Sequence, residues 1–384
     1  MITILVSIEG CSHYEYDKVR LAIEKSIANL GGLEKYLDKG ETVLLKVNLV
    51  MRKPPESAAT THPLFVQILA EIIIAYGCQV VIGDSPGGPF NEMLLKPLYK
   101  TTGMTDAALL SGGSLNYNTS VCEVENPNGL LQKKLTVVAF ATNVDKIISV
   151  AKLKSHCMTK MTGAVKNMFG IIPGTTKAEY HFDKPDIENF ADCLIDICLF
   201  GNPTLSFIDG IIGMEGHGPT GGTTRNTAVV LASDNPFELD LAMSKIMNLS
   251  IDEVPLLKRM VERKLCSENA DYVKTVGDNI DKFIAKDFII PKTNSVHFLG
   301  NNPPKILKKL IQSNFQPKPV FKYSDCIGCG DCALNCPAKI ITMKNRKPQI
   351  DLTKCIRCFC CQELCPKNAV DIKRPFILKV LSKL

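Results

Sequence analysis

Two groups of residues in this 384-residue chain have the types and spacing to do chemistry. Towards one end the cysteines repeat, as "CIGCGDCALNCP" from Cys326 and "CIRCFCCQELCP" from Cys355. Both read C-x2-C-x2-C-x3-C-P: three thiolates of one tight loop reach three corners of an iron–sulfur cube, and a distant cysteine closes the fourth. The spacing assigns Cys326, Cys329, Cys332 and Cys365 to one [4Fe-4S] cluster, and Cys355, Cys358, Cys361 and Cys336 to a second. A pair of zinc sites fits less well, because zinc ribbons lack this triple spacing with a following proline. Cys360 is a ninth cysteine, standing where the first repeat has Asp331, and it reads as a small buried thiol.

The other group is the stretch "AKLKSHCMTKMTGAVKNMFGIIPG", Ala151 to Gly174. Lys152, Lys154 and Lys166 near His156 would lower one another's pKa and form a pocket for a carboxylate or phosphate. A histidine titrating near neutrality could then move protons, which suits a reduction fed by the clusters. Asp84 and Asp209 end strands where they could orient lysines, bind a cation or close a turn. The catalytic candidates are therefore His156, Lys166 and Lys154, and the cofactor-binding candidates Lys152, Asn48, Asp84, Ser85, Glu215 and Gly216.

These residues need elements to position them. "ETVLLKVNLV" reads as a strand, "HPLFVQILAEIIIAYG" as a helix after a Thr-Thr cap region, and "CQVVIGD" as the next strand, which together make a β-α-β unit. Strand and helix patterns alternate onward through "DKIISVAKLK", "DIENFADCLIDICLFG", "PTLSFIDGII", "TAVVLASD" and "PFELDLAMSKIMNL". An α/β domain with a mostly parallel sheet follows for residues 1–300. Four loops, "NLVMRKPPESAATTHP", "GDSPGGP", the Lys/His stretch and "GMEGHGPTGG", fall at strand exits, where such sheets bind ligands in one shared cleft. "GHGPTG" matches G-x-G-x-x-G, but a strand pattern follows it, whereas a dinucleotide fingerprint must open a helix. It reads instead as a flexible covering loop, with Glu215 and His217 available to a ligand. The proline-rich "NNPPKILKKLIQSNFQPKPV", residues 301–320, reads as a linker to a small α+β two-cluster domain with a tail, residues 321–384.

Composition narrows the class. With 45% hydrophobic and 22% charged residues the chain is far from the disordered range. Residues 301–384 hold 16 Lys and Arg against 5 Asp and Glu, which gives them +11 and leaves −5 on the rest of a chain whose net charge is +6. That basic excess compensates anionic clusters and offers a docking charge for an acidic redox partner such as a ferredoxin. No aromatic-basic interleaving points to nucleic acid. The longest apolar run is broken by Gln67, Glu71 and Gly77, and Met1 to Gly10 reads as a strand, so neither a membrane span nor a signal peptide is expected. A cytoplasmic setting follows, in which 16 cysteines serve metal or packing rather than disulfides.

Three resemblances add to this. The segment from Phe321 to Pro375, with its cysteine loops and the strands "AKIITMKN" and "KNAVDIKR", resembles the bacterial-type two-cluster ferredoxin module. Residues 1–300 resemble the domain of unknown function 362 family through "TTHP", "GDSPG", "KLKSH", "TGAVKNMFG", "DGIIGMEGHGPTGG" and "ASDNPFELD". The order His156, Lys166, Pro173-Gly174, His181 is similar to the core of the nickel-pincer lactate racemase family. That resemblance implies Lys166 as a cofactor tether, His181 as a nickel ligand and His156 as an acid–base group. Two positions depart from it: Asp84-Ser85 stands where those enzymes carry a histidine, and Asn48 replaces their aspartate.

The leading reading is an iron–sulfur oxidoreductase whose two clusters relay electrons to a substrate or cofactor in a Lys/His cleft. A non-enzymatic electron carrier or assembly subunit, and a metal-cofactor isomerase, are the alternatives.

Overall fold

Alternation along the central strands decides the layering. Leu44, Ala151, Ile208 and Leu231 face one apolar core, and their neighbours Leu45, Val150, Phe207 and Val230 face the other. A sheet buried on both faces needs helices on both sides. Tyr16–Asn29 and Pro63–Tyr76 cover one face through Val19 and Phe65. Ile187–Gly201 and Pro236–Ile246 cover the other through Phe190 and Leu239.

This is a computed structural model, and it describes residues 4–184, 186–291 and 317–373. The large sheet has nine strands: β1 (Val6–Gly10), β2 (Thr42–Val47), β3 (Gln79–Gly83), β4 (Ser114–Leu115), β5 (Lys146–His156), β6 (Lys160–Thr162), β7 (Leu205–Glu215), β8 (Thr223–Ser233) and β9 (Thr275–Gly277). Their order is β9-β1-β8-β7-β5-β2-β3-β4, with β6 beside β5. The run from β7 to β4 is parallel throughout. Only β8, which opposes both β1 and β7, and the short β6 run antiparallel. The mostly parallel sheet of the sequence reading is therefore present, and "TTRNTAVV" is indeed strand.

The helix between β2 and β3 starts at Pro63, whose missing N–H costs nothing there, and stops at Gly77 with φ of 115°. Its cap is His62, whose Nδ1 accepts from Leu64 N at 3.3 Å, rather than the threonines before it. The Thr61 hydroxyl instead donates to Val150 O (2.7 Å) and accepts from Asn48 N (3.0 Å), stitching the β2 exit loop onto the sheet.

The small domain pairs Lys318–Phe321 with Val370–Lys373 and Ile341–Lys344 with Lys347–Ile350, both antiparallel. Short helices, Asp331–Leu334 and Cys360–Glu363, lie within the two cysteine loops. Lys318 to Val320, assigned to the linker for their prolines, are already strand. Residues 301–316 of the linker, 292–300 before it and 374–384 of the tail lie outside the described residues. Among the described residues no helix is long and apolar enough to cross a membrane.

Candidate functional site

The cysteine loops close around two small cavities. Cys326, Cys329, Cys332 and Cys365 line one; Cys336, Cys355, Cys358 and Cys361 line the other. Each cavity thus takes three thiols from one loop and its fourth from the other loop, and all are free. Among the described residues no three His, Cys, Asp or Glu side chains converge tightly enough to hold a single ion. Four soft donors spread around a cavity fit a four-iron cube better than a mononuclear zinc.

On the large domain, the strand ends carry buried lysines. Lys46, on β2, reaches Asp84 Oδ1 at 2.8 Å, Val47 O at 2.6 Å and Asn167 Oδ1 at 3.2 Å. Lys154, on β5, donates to Asn48 Oδ1 (2.8 Å) and Ala59 O (2.5 Å). Lys152 turns towards β7 instead, donating to Asp209 Oδ2 (2.8 Å) and Tyr14 OH (2.5 Å). Gly170 is required beside the first of these pairs, since a Cβ there would collide with Asp84 Oδ1 and Lys46 Nζ. Lys166 rides on the single helical turn Ala164–Asn167, whose first amides, Ala164 N and Val165 N, donate to Asp240 at 2.6 and 3.1 Å.

The small domain completes this cleft. Glu363 Oε1 lies 2.8 Å from His156 Nε2, a contact close in distance but not aligned as a hydrogen bond. His156 Nδ1 accepts from Met158 N (3.0 Å) and Thr159 N (3.2 Å), so the neutral ring carries its proton on Nε2, beside the carboxylate. Three further side chains seat the domain. Gln362 Nε2 donates to His217 O (3.1 Å), Thr220 Oγ1 to Glu363 O (2.7 Å), and Lys53 Nζ to Pro366 O (3.2 Å) and Asn368 Oδ1 (3.1 Å).

Between the domains remains a cavity of about 100 Å³, lined among others by Lys46, Asn48, Asp84, Ser85, Lys166, Lys177, His181, Cys360 and Glu363. Burial sets its electrostatics. It pushes Lys154 down to about 7, helped by Lys166, and Lys177 down to about 7 against the pull of Asp84. His156 falls to about 4, through burial and then Lys166, and His181 falls to about 4 through burial. Burial works to raise the Glu363 carboxyl, but His156 and Lys166 hold it below the usual range.

Several sequence-based expectations are corrected. The histidines are not poised near neutrality, because they have lost their water. Lys152 does not line the cavity and is consumed by Asp209 and Tyr14. Glu215 lies outside it too, bound to Arg225 (3.1 Å) and Ile289 N (3.1 Å), and Gly216 is a turn residue with φ of 77°. Their loop is no free cover over a ligand; His217 and Thr220 use it to clamp the small domain. Cys360 is buried, as expected, yet it lines the cavity. Lys46, Lys177 and Glu363 were missed. Glu363 had a signal: it stands where the first cysteine repeat has Leu334, an acid replacing an apolar residue.

Residues 43–245 match the family model described as "Domain of unknown function (DUF362)", which is more than half of the chain. The chain belongs to the DUF362 family. Residues 325–369 match the 4Fe-4S dicluster domain, so iron–sulfur electron transfer is built into this DUF362 protein. A thylakoid-associated protein of Synechocystis sp. is 30% identical over 258 residues, covering 66% of this chain and 77% of that protein. Among solved structures, the lactate racemase apoprotein from Thermoanaerobacterium thermosaccharolyticum aligns with a TM-score of 0.41 at 13% identity, over 64% of this chain and 57% of that one. A Thermotoga maritima protein aligns with a TM-score of 0.37 at 12% identity, over 63% of this chain and 61% of that one. The chain therefore spans less than two thirds of the length of either solved structure.

Proposed function

We propose that this DUF362 protein is an iron–sulfur oxidoreductase that reduces or oxidises a small molecule held in the cavity between its domains. One observation carries the reading. Cys360 lines that cavity while its chain neighbour Cys361 lines the cavity of the second cysteine set, so a single short helix separates the two. Two bound [4Fe-4S] clusters, one per cysteine set, would supply one-electron transfer.

The chain's own groups do the rest. Lysines at the cavity wall hold the ligand, and the docked small domain forms one side of the cavity through Cys360 and Glu363. His156 Nε2 stands beside Glu363 and positions that carboxylate, and Lys177, an ammonium that burial brings down to about 7, lines the cavity and can give a proton to a reacting ligand. The first cysteine set lies at the outer end, where Cys329 and Ile327 are exposed. Lys339, Lys344, Arg346, Lys347 and Lys354 belong to the same domain, which suits an acidic one-electron carrier as partner. The 16 free thiols suit a reducing, cytoplasmic setting.

Anaerobically purified protein should hold about eight iron atoms per chain and an absorbance that bleaches on reduction. Mixing the reduced protein with small acceptors in a stopped-flow instrument tests the function. His156→Ala and Lys166→Ala should abolish acceptor-driven reoxidation with iron content unchanged. Reoxidation at the wild-type rate in both variants would leave a simple carrier, and zinc in place of iron would remove the redox reading.

A further inference from the structure

The cavity carries more cationic charge than its own carboxylates compensate. Lys46 is matched by Asp84 at 2.8 Å, and Glu363, beside a neutral His156, offsets Lys166. The charge of Lys177 is left over. Lys177 donates only to the carbonyl of Ser85, and Lys166 makes no hydrogen bond or ion pair among the described residues. Both ammoniums sit 5.9 Å from the centre of the same Phe169 ring. Two ammoniums over one ring, with Glu363 the one carboxylate to offset Lys166, leave a positive charge that an anion can join.

Two neutral groups point the same way. Ser85 Oγ and His181 Nδ1 are buried without a hydrogen-bond partner, on side chains only 1% and 5% exposed, and both residues line this cavity. Evolved interiors rarely leave such atoms unsatisfied, so water or a ligand completes them. The volume of about 100 Å³ has room for several water molecules but not for a nucleotide. Backbone also crowds close: a Cβ on Gly174 would strike the carbonyls of Pro86 and Gly88, so the cavity floor is a tight crossing of two loops.

We propose that the cavity is a receptor for a small oxyanion, a carboxylate or a phosphate, gripped by Lys166 and Lys177 and supported by Ser85 and His181. This rests on the electron-delivery reading only in naming the class of molecule that is reduced or oxidised. Glu363 repels a second negative charge at its own end, so the anionic head lies towards Lys177 and Ser85. The rest of the ligand then faces Cys360 and Glu363.

Calorimetric titration of the cluster-loaded, oxidised protein, without reductant, tests this with glycolate, inorganic phosphate and the uncharged glycolamide at matched ionic strength. Glycolate or phosphate should bind saturably, with glycolamide weaker by about tenfold or more; which anion binds tighter identifies the head group. Lys166→Met and Lys177→Met, which keep side-chain length, should each weaken the anion by about tenfold, with Lys177→Arg retaining it. Absence of saturable binding by both anions to wild-type protein overturns the proposal without recourse to any variant, as does equal binding of glycolamide. Cluster reoxidation by acceptors without anion binding would also overturn the oxyanion site while sparing electron delivery. Anion binding without any reoxidation would support the site and count against the oxidoreductase.

Discussion

Lys177 gives the cavity its pH dependence. Burial moves its ammonium from an ordinary 10.5 down to about 7, and only the protonated form grips an anion. Affinity for glycolate, which stays ionised throughout, should therefore fall as pH rises through about 7. Calorimetry from about pH 6 to about pH 9 should show that decline in the wild type and a shallower one in Lys177→Arg, since a guanidinium does not titrate there and only Lys166, which burial also lowers, still can. A flat wild-type profile would remove Lys177 from the grip. Stability has the opposite slope. Between about 7 and 10.5 the unfolded chain holds a proton that folded Lys177 has released, so this group makes the fold more stable as pH rises across that window. Lys154, also at about 7, contributes with the same sign.

At the scale of elements, the lysines depend on supports that look unremarkable in sequence. The turn Ala164–Asn167 is too short to hold itself, and it is pinned by Asp240 on the helix Pro236–Ile246. Burial pushes the Asp240 carboxyl up to about 7 although two amides donate to it, so its placement there is not free of cost. Asp240→Ala should strand Ala164 N and Val165 N and lower stability by about 2–3 kcal/mol in urea melts, with weaker anion binding because Lys166 loses its platform. Asp240→Asn, which keeps an acceptor, should lose less. Asp196 does similar work elsewhere: fully buried, it accepts from Leu130, Leu131 and Gln132 amides and from Arg263. Neither carboxylate was legible as a support, because "DLAMSKI" and "DICLF" show only helix-forming patterns.

Across the whole molecule, the cavity is complete only while the small domain, which lends it Cys360 and Glu363, is seated. Gln362, Thr220 and Lys53 make the polar contacts of that seat. Gln362→Ala should loosen it without disturbing the cysteine cavities. Hydrogen exchange read by mass spectrometry should then become faster at residues 216–221, with iron content unchanged. Exchange that stays at the wild-type rate would mean that Thr220, Lys53 and the apolar contact of Leu364 against Gly87 hold the domains without Gln362. The charge division, +11 against −5, favours the same approach of the two domains, although it fixes no register.

The sequence by itself determined the two cysteine sets and the α/β sheet. Both follow from short-range rules: ligand spacing within a loop, a tandem repeat that supplies the distant fourth thiol, and apolar alternation along strands. It also singled out Asn48, Asp84 and Ser85, because residues at the exits of parallel strands are bound to meet, Lys166 from the clustering of lysines, and His181 through a resemblance of motif. Only the tertiary structure decided which lysines share the cavity, why Lys152 does not, and that Glu363 closes it. Those outcomes rest on contacts between residues far apart in the chain, up to 315 positions for Lys53 and Asn368, and on the loss of water. Local pattern carries neither: a lysine in a strand reads the same whether its partner is Asp209, Asn48 or an arriving anion.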